Sequence, residues 1–294
     1  MITENKFSSD RHTSNYLESG PKDGPLIMFF HGWPELSHSW RHQLEFFGEK
    51  GYHVVAPDMR GYGESTIHRN KSDYSQREIV MDMVELYKSF KKESVIVVGH
   101  DWGSETAWLM AKHYPNFVSK IVSLCVPYAM LELEVNENSL EKLINRKTYP
   151  KDLYPFGQWD YQVFYMKDFE KACADMNSDP YKLVKFVFRS GSPDMKGMPF
   201  PTSIITKNNG WIPEGGSMPD IPIDTNVLNE IDARKYSKYL ERNSFFGPNS
   251  WYVNHEDNRK FANEADSIIK MPSLFVHATY DYVCDTSSTR AAET

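Results

Sequence analysis

Cysteine is scarce in this chain: three residues, at 125, 173 and 284, among 294. An odd, sparse set leaves no complete pairing, and Cys125 stands in an apolar run where a buried thiol is the default. That usage implies a reducing compartment, the cytoplasm. Positive charge is also short, with 33 Lys and Arg against 40 Asp and Glu. The net charge of −7 and the lack of a basic cluster argue against a nucleic-acid surface. No apolar run approaches the roughly 20 residues that cross a bilayer, so no membrane partner is expected. The polar start, Met1 to His12, does not read as a secretory signal. Repeats and low-complexity tracts are missing too. The length suits one large core, or a core carrying an inserted subdomain.

What is present is organised around Val95-Ile96-Val97-Val98-Gly99-His100-Asp101-Trp102-Gly103-Ser104. The β-branched run before Gly99 predicts a fully buried strand, and the residues from Ser104 onward predict a helix. Asp101 stands at the apex of the turn between them, with glycines on either side allowing strand and helix to pack around a cramped corner. A carboxylate there lies near a helix N-terminus, which favours its ionised form. A carboxylate that attacks carbon forms an ester, so the chemistry of such a turn is alkyl transfer followed by hydrolysis. The plainer alternative for Asp101 is a helix N-cap.

Around that turn the pattern alternates. Strands are predicted at 26–30, 51–57 and 118–126, with helices at 40–47 and 74–90. Thr13 to Leu17 reads as a weak edge strand. This alternation predicts an α/β fold, a mostly parallel sheet flanked by helices. Ligands of such sheets lie beyond the carboxyl ends of the strands, where Trp33, Arg60 and Asp101 fall. After Pro127 the texture changes to helical patterns at about 131–145, 161–176, 181–190 and 228–243, separated by segments rich in Pro, Gly and Asn. A strand pattern returns at Ser273–Ala278. The expected organisation is therefore a core from 1–127 and 268–294, with a helical cap inserted at 128–267.

With these motifs in place, the chain resembles the epoxide hydrolases of the α/β-hydrolase fold. The resemblance rests on His31-Gly32-Trp33-Pro34, Arg60-Gly61-Tyr62-Gly63-Glu64-Ser65, Gly99-His100-Asp101-Trp102-Gly103-Ser104, Asp160-Tyr161-Gln162 and Ser250-Trp251-Tyr252. The turn at Asp101 matches the nucleophile elbow of that fold, with aspartate where esterases have serine. The resemblance implies that Asp101 is the nucleophile and that the Trp33 and Trp102 amides form the oxyanion hole. It implies that Tyr161 and Tyr252 meet the alkoxide of an opening epoxide, a poor leaving group without a proton or strong donor. The substrate implied is a small apolar epoxide, converted to a vicinal diol without metal or cofactor. Arg60 and Glu64 are expected to brace loops. His31 and His100, beside motif residues, are expected to be structural.

The resemblance also places a triad acid after the last predicted strand, at Asp281, with Asp285 as a weaker candidate in the same loop. The general base of the family is a histidine further on, in a Gly-His-Trp context, and no histidine here matches it; His277 precedes the acid. The chain stops at Thr294 within a predicted helical turn, 288–294. The expectation is a longer chain; the alternative, a genuine end, leaves a sheet edge open and sticky. Two other functions stay open. Haloalkane dehalogenases share the Asp-Trp elbow, although an asparagine commonly stands where this chain has Trp33. A non-catalytic small-molecule or partner-binding protein would keep the same fold. Oligomeric state is not readable from the sequence.

Overall fold

The computed structural model of the protein describes residues 1–129 and 136–284. The chain divides into two compact units, Met1–Glu132 with Asn254–His277 and Leu133–Val253 with Ala278–Thr294.

In the first unit, seven strands among the described residues form one sheet in the order β1-β2-β4-β3-β5-β6-β7. They are β1 (Thr3–Ser8), β2 (Thr13–Ser19), β3 (Leu26–Phe30), β4 (His53–Pro57), β5 (Val95–His100), β6 (Val118–Leu124) and β7 (Ser273–Val276). The β1–β2 and β2–β4 pairs are antiparallel and all others parallel. The fold class is thus the expected mostly parallel α/β sheet. β3 and β4 are buried along their whole length, because both faces are covered and every residue must be apolar or satisfied. α1 (Arg41–Glu49) packs through Leu44 against Ile27, Phe29, Val54, Ala56 and Val98 on one face. The alternate residues Met28, Val55 and Val97 are equally buried, as period-two alternation requires of the opposite face. α2 (Gln76–Ser89) and α3 (Trp102–His113) follow, and α3 packs on β5 and β6.

The amino terminus departs from expectation. β2 is not an edge strand, because β1 lies outside it in a hairpin closed by the Ser9 N–H donating to the His12 carbonyl at 2.9 Å. β1 is largely exposed, so no buried face imprinted an apolar alternation on its sequence.

In the second unit the described residues contain helices and no strand. These are α4 (Glu137–Leu140), α5 (Asp160–Lys167), α6 (Phe169–Asn177), α7 (Pro180–Val187), α8 (Glu230–Asn243) and α9 (Phe246–Ser250). The helix expected at 161–176 is two, because Asp168 leaves helical geometry and caps α6 by accepting from the Lys171 N–H at 3.1 Å. The expected helix at 131–145 is shorter: its first residues lie outside those described, and the rest is α4 with one 3-10 turn at Glu141–Leu143. The expected turn of helix at 288–294 also lies outside them.

α10 (His255–Ala262) returns to the first unit, packing on α2. The Gln76 N–H donates to Asn258 Oδ1 at 2.7 Å, and Asn254 donates to the Lys71 carbonyl at 2.8 Å. Residues 254–267 thus lie with the sheet although their composition continues that of the preceding helices. Residues 278–284 group with the second unit, where the Tyr282 ring packs on Phe200 and its hydroxyl donates to the Ser192 carbonyl.

Candidate active site

β5 ends at His100, and Asp101 turns the chain into α3 with φ 53° and ψ −127°. Such a conformation is strained for a residue with a Cβ and persists only where surrounding structure enforces it. The enforcement is steric. A Cβ on Gly99 would lie 2.2 Å from the Gly103 carbonyl oxygen, and one on Gly103 would lie 2.2 Å from the Phe30 carbonyl oxygen. Only glycines let β5, β3 and the first turn of α3 approach so closely.

Parallel pairing of β3 with β5 sets Phe30 opposite Gly99, so the loop after β3 runs beside the turn. Gly32 passes so near that a Cβ there would sit 2.3 Å from Asp101 Cβ. The next residue, Trp33, donates its backbone N–H to Asp101 Oδ1 at 2.8 Å. The Trp102 amide also donates to that carboxylate. Three of the expected site residues, Trp33, Asp101 and Trp102, are therefore brought together, with both amides pointing at the aspartate.

Charge around the turn is arranged by Glu35 and His100. Glu35 Oε2 accepts from the Gly32 N–H at 3.2 Å and lies 3.1 Å from His100 Nδ1. Burial works against the imidazolium, yet Glu35 and the Cys125 thiol raise His100 well above the usual histidine range. Burial likewise works against the Glu35 carboxylate, and His100 pulls it down. Burial raises the Asp101 carboxyl to about 6, against the opposing effects of His100 and the two tryptophan amides. At neutral pH it is mostly ionised, the form a nucleophile needs.

His31 is fully buried and bridges two loops: Nδ1 meets the Gly32 carbonyl at 2.9 Å, and Nε2 accepts from the Met59 N–H at 2.9 Å. Those partners require the neutral Nδ1–H tautomer, and burial holds its pKa down in agreement. Arg60 is enclosed in a bidentate pair with Asp82 at 2.7 and 2.8 Å and donates to the Asp73 carbonyl at 2.9 Å. Glu64 is half-buried and pairs with the exposed Lys6 at 3.7 Å.

In the second unit, Tyr161 and Tyr252 are buried with ring centroids 5.6 Å apart. Tyr165 packs edge-on to both, at 5.7 and 5.2 Å, and Trp211 lies 6.2 Å from Tyr161. Asp160 opens α5 and accepts from the Thr206 N–H at 2.6 Å, which anchors the helix start that carries Tyr161. Asp281 Oδ1 accepts from the Val283 and Cys284 N–H groups at 3.0 and 2.9 Å, so the carboxylate caps its own turn. Asp285 lies outside the described residues.

The family model described as alpha/beta hydrolase fold matches residues 25–291. This chain belongs to the α/β-hydrolase fold family. Among curated proteins, this α/β-hydrolase is 28% identical to Epoxide hydrolase A of Mycobacterium tuberculosis, over 94% of this chain and 82% of that one. It is 28% identical to Bifunctional epoxide hydrolase 2 of Sus scrofa, over 92% of this chain and 45% of that longer protein. Among solved structures, Epoxide Hydrolase A from Mycobacterium thermoresistibile superposes with a TM-score of 0.77 at 25% identity, covering 96% of this chain and 84% of that one. An epoxide hydrolase from Vigna radiata gives 0.74 at 28% identity, covering 96% and 82%. No helix among the described residues of this α/β-hydrolase is long and apolar enough to cross a membrane.

Two features of the α/β-hydrolase site were not singled out from sequence. One is Glu35, whose place directly after Pro34 is visible in the sequence but whose partner is not. The other is Asp58, which accepts from the Ser37 N–H and Asn15 Nδ2 at 3.0 Å and the Glu64 N–H at 3.1 Å, joining β2 to two further segments. A buried carboxylate among so many donors has no signal in linear pattern, since its partners come from three segments.

Proposed function

We propose that this protein is an epoxide hydrolase that converts small apolar epoxides to vicinal diols through an ester of Asp101. The observation that carries the reading is the Asp101 carboxylate itself, held at a strained turn with the Trp33 amide 2.8 Å from Oδ1. The oxygen facing the amides becomes the ester carbonyl, and the other oxygen attacks the epoxide carbon. The carbon–oxygen bond breaks, and the departing oxygen takes a proton from Tyr161 or Tyr252. Water then adds to the ester carbonyl while the Trp33 and Trp102 amides hold the oxyanion. The bond from the carbonyl carbon to the alkyl oxygen breaks, the proton released returns the tyrosinate to phenol, and the diol departs, leaving Asp101 a carboxylate. Asp281 is the acid that the family resemblance assigns to orient the base for that water. Each step uses side chains, backbone and water, and calls on no metal or cofactor. The names of the relatives support an epoxide over an alkyl halide as substrate. The apolar aromatic residues around the two tyrosines support an aryl epoxide, and the cysteine usage supports a cytoplasmic setting.

The test is to mix the protein with excess styrene oxide, quench in acid and map peptides by mass. The expected result is an added styrene oxide mass on the peptide containing Asp101, lost in Asp101→Ala. Diol production with Asp101→Ala intact, or an adduct confined to another residue, would overturn the reading.

A further inference from the structure

Tyr161 and Gln162 are consecutive in the first turn of α5, and both are buried. Neighbouring residues on a helix point about 100° apart and do not ordinarily meet. Here Gln162 Nε2 lies 3.1 Å from the Tyr161 hydroxyl, so the amide side chain folds back along the helix to reach the phenol. The ring is held from its other sides by Tyr165, Trp211 and Tyr252.

An amide N–H has only a proton to offer, so the phenol oxygen accepts and its own hydrogen must point elsewhere. We propose that Gln162 is a positioning residue for Tyr161, aiming the phenolic hydrogen away from the helix and holding the phenolate that remains when the proton is given up. The inference rests on the reading of Tyr161 as proton donor to the opening epoxide. In that step the Asp101 oxygen bonds to carbon, and the carbon–oxygen bond of the ring breaks. Its electron pair takes the Tyr161 proton, leaving a hydroxy ester and tyrosinate 161. Gln162 touches none of the reacting atoms. Its N–H bonds the phenol oxygen before the transfer and bonds it more strongly after, when that oxygen is negative. That difference is what speeds the step.

The test compares alkylation rates with styrene oxide, read as the appearance of the Asp101 adduct, in the parent, Gln162→Met, Tyr161→Phe and the double variant. Methionine keeps length and volume and removes the donor. Gln162→Met is expected to slow alkylation about tenfold, as loss of a hydrogen bond to a charged group does, and to have no further effect once Tyr161 is Phe. Gln162→Glu, whose carboxylate accepts the phenolic hydrogen, is expected to be as slow as Tyr161→Phe. Near-ultraviolet titration of the signal that Tyr161→Phe removes should show tyrosinate forming at higher pH in Gln162→Met. A Gln162→Met enzyme as fast as the parent, or the same loss with and without Tyr161, overturns the proposal while leaving Tyr161 as donor. A Tyr161→Phe enzyme as fast as the parent overturns both.

Discussion

Glu35 and His100 form an ion pair, Oε2 to Nδ1 at 3.1 Å, that ties the loop presenting the Trp33 amide to the strand end presenting Asp101. Because Glu35 also accepts from the Gly32 N–H, one carboxylate fixes both sides of the turn at Asp101. Glu35→Gln keeps the shape and removes the charge. It is expected to slow alkylation about tenfold or more by loosening the Trp33 amide, and to lower stability by about 1–3 kcal/mol.

The sign of its pH dependence follows from the two shifts. His100 is raised, so its contribution is fully present below 6.5 and is lost as pH rises through the higher folded value. Glu35 is lowered, so its contribution is fully present above 4.5 and is lost as pH falls through the lower folded value. The Tm difference between parent and Glu35→Gln should therefore be widest between these two values. A constant difference from pH 3 to 9 would show that the pair is not responsible.

Asp101 carries the opposite balance. Burial raises it to about 6, so alkylation should fall about tenfold per pH unit below that value and be flat above it. Its stability contribution is present below 3.8 and is lost as pH rises through about 6. Asp101→Asn should therefore melt higher than the parent at pH 8, by roughly 1–3 kcal/mol, and the gap should close near pH 4. A lower Tm for Asp101→Asn at pH 8 would show that the carboxylate stabilises the turn. The expected pattern is a site that holds a reactive group at the expense of stability.

Gly32→Ala tests the close approach of the two segments. The new Cβ would fall 2.3 Å from Asp101 Cβ and 2.4 Å from its Oδ1, so the loop must retreat and the Trp33 amide with it. A displacement of about 1 Å is enough to cost on the order of 10²-fold in rate. The sheet does not depend on this contact, so circular dichroism should be unchanged. Full alkylation activity in Gly32→Ala would mean that the Trp33 amide is dispensable.

How much of this was legible beforehand depends on whether the determinant was local. β3 was expected at the residues it occupies, Leu26–Phe30, because an unbroken apolar run between turn residues has one use in a covered sheet. The turn at Asp101 was legible because its requirement for glycine at 99 and 103 is written within five residues. β1 was missed because an exposed outer strand needs no apolar face. The break at Asp168 was missed because apolar periodicity runs through it, while the capping bond to Lys171 is a matter of one side chain.

By itself, then, the sequence determined the elements whose driving force is contained in their own residues: the buried parallel strands, the strained elbow and the helical texture after residue 127. Tertiary structure decided the pairings. Trp33 and Asp101 are separated by 68 positions, and Glu35 and His100 by 65, and each pair meets only because β3 lies beside β5 in one register. Register is a property of two strands together, and a hydrogen bond across it depends on distance and direction that neither segment encodes alone.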